Sequence, residues 1–264
     1  GAATLEHTAL AVDVMTRRAS VTLRVRAEAA GVLRLAVGDL ADVAIVGGDA
    51  ALERAEDQLD VAFPSAGSHE LTLSFSIPES APFAGWSGAS TYTWPTHCGN
   101  LFPCRPHPSD GGTFAVELTG LDPGELAVVP ASIAQAPAYQ VAFAFGAYER
   151  RALGITPRGT SVVAWALPAE LASFAPGLDP LPALVGALEE ALGATPFGPE
   201  TGPVAVDWGA GARGGMEHHP HWHVARGSMA DPVVQAHEAA HAWFGGSVRL
   251  RCWEDLVLSE GTAS

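Results

Sequence analysis

The sequence contains no lysine: all 14 of its lysine-plus-arginine residues are arginines, set against 29 acidic residues for a net charge of −15. A surface this acidic repels phosphate backbones, which argues against a nucleic-acid partner. Cysteine is scarce as well. Cys98, Cys104 and Cys252 make neither a disulfide framework nor a CxxC site. Cys98 and Cys104 could bridge in an oxidising compartment, but free thiols are the expectation. No apolar run approaches the roughly eighteen residues of a membrane span, and no signal peptide opens the chain. A soluble, cytoplasmic protein without a membrane partner is therefore expected. Internal repeats and low-complexity tracts are absent too.

What remains is an ordinary globular composition of 264 residues, 48% hydrophobic and 16% charged. That length allows one or two domains with a sizeable core. The expected class is α+β. From about residue 5 to 167 the texture is β. ASVTLRVRAE (19–28) and ELTLSFSI (70–77) alternate apolar and polar residues, the period of strands with one buried face. VLRLAV (32–37), DVAIV (42–46), TFAVEL (113–118), LAVV (126–129), YQVAFAF (139–145) and SVVAWAL (161–167) read similarly, with glycine and Asp-Pro-Gly turns between some of them. Such a series predicts a β-rich sandwich or saddle over 1–167. ALERAEDQL (51–59) has helical propensity among strands and is read as strand or loop. The segment 78–110, dense in Pro, Gly, Ser and Thr, is read as a long ordered loop. Its Phe83, Trp86, Tyr92 and Trp94 either pack on the sheet or line a cleft.

After residue 168 the pattern shifts toward helix. DPLPALVGALEEALG (179–193) has helical spacing, with Asp179 as N-cap and Gly193 as stop. GPVAVDW (202–208) reads as a strand, followed by a glycine-rich loop. Gly209, Gly211 and Gly214 match a dinucleotide fingerprint, but the MEHHPHWHV that follows is no phosphate-binding helix. DPVVQAHEAAHAWFGG reads as a helix capped by Asp231, with Pro232 in its first turn and Gly245-Gly246 at its end. CWEDLVLSE reads as a returning helix.

Within the first of these helices, His237 and His241 stand four residues apart and present two imidazoles to one ion. Glu238 lies beside them, and Glu260 on the returning helix supplies a third ligand. Two histidines and one carboxylate leave a zinc position open, the arrangement of catalytic rather than structural sites. His218, His219, His221 and His223 form a second cluster, suited to another metal or to packing and substrate contacts. Asp255 is a candidate to orient a ligand imidazole, or simply a helix-start carboxylate.

Three motifs, GGMEH (214–218), HEAAHAWFG (237–245) and WEDLVLSEGTA (253–263), resemble those of the aminopeptidase N family of zinc gluzincins, which includes the leukotriene hydrolases. The family pattern is G-x-M-E-N, H-E-x-x-H-x-W-F-G and W-x-D-L-W-L-N-E-G-F-A. Weaker likeness runs through NLFPC (100–104) and VAFAFGAYE (141–149). The resemblance implies one zinc ion on His237, His241 and Glu260, with Glu238 as general base. It also implies that Glu217 holds the free amino group of a peptide substrate while Gly214 and Gly215 pair with its backbone. Residues 168–264 would then be the first part of a thermolysin-like catalytic domain. His218 departs from the family's asparagine. The family also uses a tyrosine beyond the third ligand to stabilise the oxyanion, and none of Tyr92, Tyr139 and Tyr148 matches that motif. A fragment lacking the family's helical lobe, a further segment of the same protein, is expected. A thermolysin-like endopeptidase and a non-catalytic zinc-binding scaffold stay open as alternatives.

Overall fold

A computed structural model describes residues 3–264. The alternating segments become strands because each places one row of apolar side chains inward. Along Arg18–Ala27, Val21, Leu23 and Val25 are fully buried. The outward Arg24 and Arg26 face Glu70 and Glu6 across the sheet. This strand lies within a six-stranded sheet ordered Ile133–Pro137, Gly111–Thr119, Ala3–Asp13, Arg18–Ala27, Gly67–Ser76, Ala41–Gly47. Its pairings are antiparallel except that of Ala3–Asp13 with Gly111–Thr119. A three-stranded sheet of Gly31–Ala36, Gln58–Phe63 and Ala51–Ala55 shares its core. Leu33, Leu35, Leu59 and Val61 join Val21, Leu23, Leu71 and Leu73 in one cluster. Burying each such side chain contributes roughly 1.5–3 kcal/mol. The helix-prone 51–59 is thus part of a hairpin, turning at Glu56 with φ 53°.

The next sheet positions the site. Its order is Glu149–Ile155, Ser161–Ala166, Val204–Val206, His223–Ala225, Gly215–Met216. Parallel pairing joins Ser161–Ala166 to Val204–Val206 and that strand to His223–Ala225, while Gly215–Met216 closes the edge antiparallel. Strands from both sides of residue 167 therefore share this sheet. Helices α1 (Ala175–Leu178), α2 (Leu181–Leu192) and α3 (Pro232–Ala240) contribute Leu178, Leu181, Val185 and Ala239 to one core with Val162, Ala164 and Val224 from the sheet. Helix α4 (Leu256–Ala263) follows. Among the described residues no helix is long and apolar enough to cross a membrane.

Four local expectations are corrected. Residues 139–145 form a strand only at Ala144–Gly146, preceded by a 3-10 turn at Ala138–Gln140. Residues 136–144 are all buried, and the Tyr139 and Val141 carbonyls accept from the Thr93 hydroxyl instead of a ladder. Asp179 does not cap α2; Pro180 stands at that position, and Asp179 ends α1. Helix α3 stops at Ala240 rather than near Gly245, because Ala242 and Trp243 donate to Ala239 and Ala240, tightening the last turn. Cys98 and Cys104 are bonded, not free thiols. A 3-10 turn at His97–Asn100 follows Thr96, and Cys104 exchanges two backbone hydrogen bonds with Ala36, which sets the two Cα atoms 6.1 Å apart.

Candidate active site

Helix α3 begins where it should. Asp231 has extended backbone angles and accepts the Val233 N–H at 2.9 Å, with Pro232 at the first helical position. The four-residue spacing then brings His237 and His241 onto one face, their Nε2 atoms 3.1 Å apart. Helix α4 returns Glu260 to the same point. Its Oε2 lies 3.3 Å from His237 Nε2, and its Oε1 lies 3.7 Å from His241 Nε2. Ligands about 2.0–2.2 Å from one zinc ion at tetrahedral angles lie roughly 3.3 Å from each other. The donor set fits zinc in both chemistry and spacing. Hydrogen bonds from His237 and His241 hold the Glu260 carboxyl down at about 2. Burial disfavours charge on His241, but Glu260, Glu217 and Glu238 outweigh it and raise the imidazole to about 9. Both shifts report the same thing: this point attracts positive charge.

The remaining nitrogen of His241 is held from behind. Its Nδ1 lies 3.0 Å from the Phe244 carbonyl and 3.2 Å from the Ser259 hydroxyl, which itself donates to Phe244 O at 3.1 Å. With Nδ1–H donated to that carbonyl, a metal ion taking the place of the second proton would find the Nε2 lone pair turned toward the other two ligand atoms. Ser259 and the Phe244 carbonyl thus occupy the orienting position considered for Asp255, which stands at the start of α4. Ser259 carries no sequence signal of this role.

Two more carboxylates close the cluster. Glu217 and Glu238 are each only 4% exposed, and with His241 they place one donor atom apiece within 4.8 Å of one another. Burial raises both carboxyls, and for Glu238 the charge of Glu217 adds to it. Among the described residues, Glu217 Oε1 has no hydrogen-bond partner. Gly215 runs so close to Glu238 that no larger residue fits there without moving the acid. Gly214 has φ +84°; its N–H goes to Ser228 Oγ and its carbonyl accepts from Ala225. Gly214 therefore anchors the loop, and Gly215 lies on the site.

Among the described residues, the second histidine cluster gathers no set of donors that could hold an ion. Among the described residues, His237, His241 and Glu260 form one group that could hold an ion, and Glu217, Glu238 and His241 the other. His218 packs its ring against His223 at 4.6 Å and points Nε2 at Thr93 Oγ1, 3.3 Å away. Burial keeps His219 and His223 down at about 3 and His221 at about 4, so all three are neutral. They are interior packing residues.

Two tyrosines border the site although neither has a motif. Burial, then the charges of Glu217, Glu238 and Glu260, push the Tyr92 phenol up. Tyr139 is buried and donates to Gly245 O at 2.9 Å.

No family model matches the sequence. A stretch of 32 residues is 62% identical to chicken (Gallus gallus) aminopeptidase Ey, covering 12% of this chain and 3% of that protein. Solved structures match far more widely. An M1 zinc metallopeptidase from Deinococcus radiodurans superposes with a TM-score of 0.80 at 20% identity, covering 99% of this chain and 69% of that one. Two-domain M1 zinc metallopeptidase variants bound to L-tryptophan and to L-arginine each give a TM-score of 0.81 at 20% identity, with the same coverage of both chains. The chain has the fold of the M1 zinc metallopeptidases.

Proposed function

We propose, from that fold and the side chains it gathers, that the chain is the catalytic part of a zinc-dependent aminopeptidase, releasing residues from peptides with a free amino terminus. His237, His241 and Glu260 would hold the ion. Bound zinc supplies Lewis acidity, polarising the scissile carbonyl and acidifying water. Glu238, buried and with its proton affinity raised, takes the proton of the attacking water and returns it to the leaving amine. Glu217 receives the substrate's ammonium group, and Gly215 lies along the peptide backbone, with Gly214 holding the loop behind it.

The observation that carries this reading is the third carboxylate. With Glu260 among the ion's ligands and Glu238 as the base, Glu217 is left over, buried and with its Oε1 unpartnered among the described residues. Isolated buried charge is costly, so an ammonium group facing the open Glu217 Oε1 gives it a partner. An endopeptidase has no need of it. The stretch shared with aminopeptidase Ey and the amino acids bound to two of the structural neighbours support the same substrate.

The test is direct. Elemental analysis should find zinc, and amino-acid release from a free peptide should stop on adding a chelator. Glu238→Ala should lower turnover by about 10²–10⁴ with zinc retained. Glu217→Ala should harm free peptides far more than acetylated ones. Equal cleavage of blocked peptides would make the protein an endopeptidase, and zinc without turnover would make it a scaffold.

A further inference from the structure

Three mutually packed aromatic rings, one of them next to the segment that carries Glu217, belong to no motif. Phe83 comes from the loop at 78–85, Tyr92 follows the short strand Ser90–Thr91, and Trp208 follows the sheet strand Val204–Val206. Their centroids are 5.3 Å apart for Phe83–Tyr92 and 5.5 Å for both Phe83–Trp208 and Tyr92–Trp208. Phe83 and Tyr92 lie outside the apolar core clusters, and Phe83 is 43% exposed. Phe83 also has φ +65°, a conformation costly for a bulky side chain. The loop is nevertheless fixed against the site, because Tyr92 N–H donates to Gly85 O at 2.8 Å.

The placement of Tyr92 near Glu217, with Phe83 and Trp208 packed on it, gives the rings a use. Tyr92 meets the ring of His218, the residue after Glu217, at 5.7 Å. Of the acids near its phenol, Glu217 acts on it most strongly. A substrate's first side chain leaves from the carbon next to the ammonium nitrogen, so it must lie within a few bonds of Glu217. The acids on the segments that carry Phe83 and Trp208 are already engaged: Glu79 pairs with Arg17 and accepts from Gly88 N, while Asp207 accepts from Gly209 N and faces Arg226. The rings offer apolar faces and no spare carboxylate for a basic side chain.

We propose, on the aminopeptidase reading above, that Phe83, Tyr92 and Trp208 form the wall that receives the first residue's side chain and that they select large apolar and aromatic residues. Ring-on-ring contact and burial of the side chain both favour phenylalanine and leucine over alanine.

Phe83→Ala and Trp208→Ala should be compared with the parent chain, zinc-loaded, on phenylalanyl, leucyl, alanyl and arginyl amidocoumarins. Binding of free L-phenylalanine and L-alanine by calorimetry gives a readout independent of turnover. The parent should prefer phenylalanyl to alanyl and arginyl substrates. Each variant should lose about 3- to 10-fold in kcat/KM for phenylalanyl and leucyl substrates and in L-phenylalanine affinity, with alanine values changed less than about 2-fold. Uniform loss, unchanged ratios or a preference for arginine would overturn the assignment while leaving the aminopeptidase intact. A parent chain that neither binds amino acids nor releases them would remove the aminopeptidase reading, and the wall with it.

Discussion

Gly215 and Glu238 are in backbone-to-carboxylate contact. A Cβ on Gly215 would lie 2.6 Å from Glu238 Cγ and 2.7 Å from both Cδ and Oε1. The edge strand leading to Glu217 and the helix carrying Glu238 therefore meet with no room for a methyl group. The atoms that would have to yield are the movable end of one side chain, not a backbone.

Gly215→Ala should accordingly damage chemistry more than folding. The variant should lose about 10²-fold in kcat as Glu238 is displaced, with its zinc content and unfolding midpoint close to those of the parent. Retained kcat would mean that Glu238 does not need its present position.

Ser259→Ala removes one of the two groups behind His241. Because the Phe244 carbonyl remains, zinc affinity should fall by about 10-fold, the low end for loss of such a partner. A competition titration against a chromogenic chelator measures it. An unchanged affinity would show that the carbonyl alone orients the ring.

Acid should unfold the chain early. Burial holds His219 and His223 at about 3 and His221 at about 4 in the folded state, against about 6.5 in an unfolded chain. Folded values below unfolded ones mean that the stability is fully present above pH 6.5. It is lost as pH falls toward the folded values, since the unfolded chain binds protons the folded chain excludes. Each histidine adds a slope of about 1.4 kcal/mol per pH unit in that window. In chelator-treated protein, unfolding midpoints should fall steeply below pH 6, and should also decline as pH rises from about 6.5 through 9, where His241 gives up the proton that its acidic neighbours hold in the folded chain. His221→Gln should reduce the slope by about one proton; identical slopes would contradict the assignment.

The Cys98–Cys104 bridge closes a short loop with both sulfurs buried. Replacing both cysteines with alanine should lower stability by about 2 kcal/mol, mainly by freeing the unfolded chain. Chemical denaturation with zinc content monitored would check this. A loss of zinc before unfolding would instead tie the bridge to the site.

Legibility followed locality. Val21, Leu23 and Val25 announce their strand because one buried face imposes a period of two, and His237, Glu238 and His241 announce theirs because one helical turn brings them together. Glu260 was readable from its distance along the chain, since a turn and a returning helix suffice. Thr93, Tyr92 and Tyr139 were not, because they reach the site through the fold from segments with no periodic or motif signal. The bridge at Cys98 was missed for a related reason: spacing allows it, but only the pairing of Cys104 with Ala36 decides it. The end of α3 depended on Ala242 and Trp243 donating to Ala239 and Ala240 in a tightened last turn, which no propensity encodes.

His218 has a consequence for anyone recombining relatives of this protein. Its Nε2 faces Thr93 Oγ1, and Thr93 in turn bonds the carbonyls of Tyr139 and Val141. Tyr139 reaches on to Gly245. Segments around 93, 140, 218 and 245 are thus mutually fitted, like parts cut to one template. A chimera that imports the 78–110 loop from a homologue with asparagine at the 218 position would bring a foreign counterpart to this imidazole. Swaps would have to carry all four segments together to keep these hydrogen bonds intact.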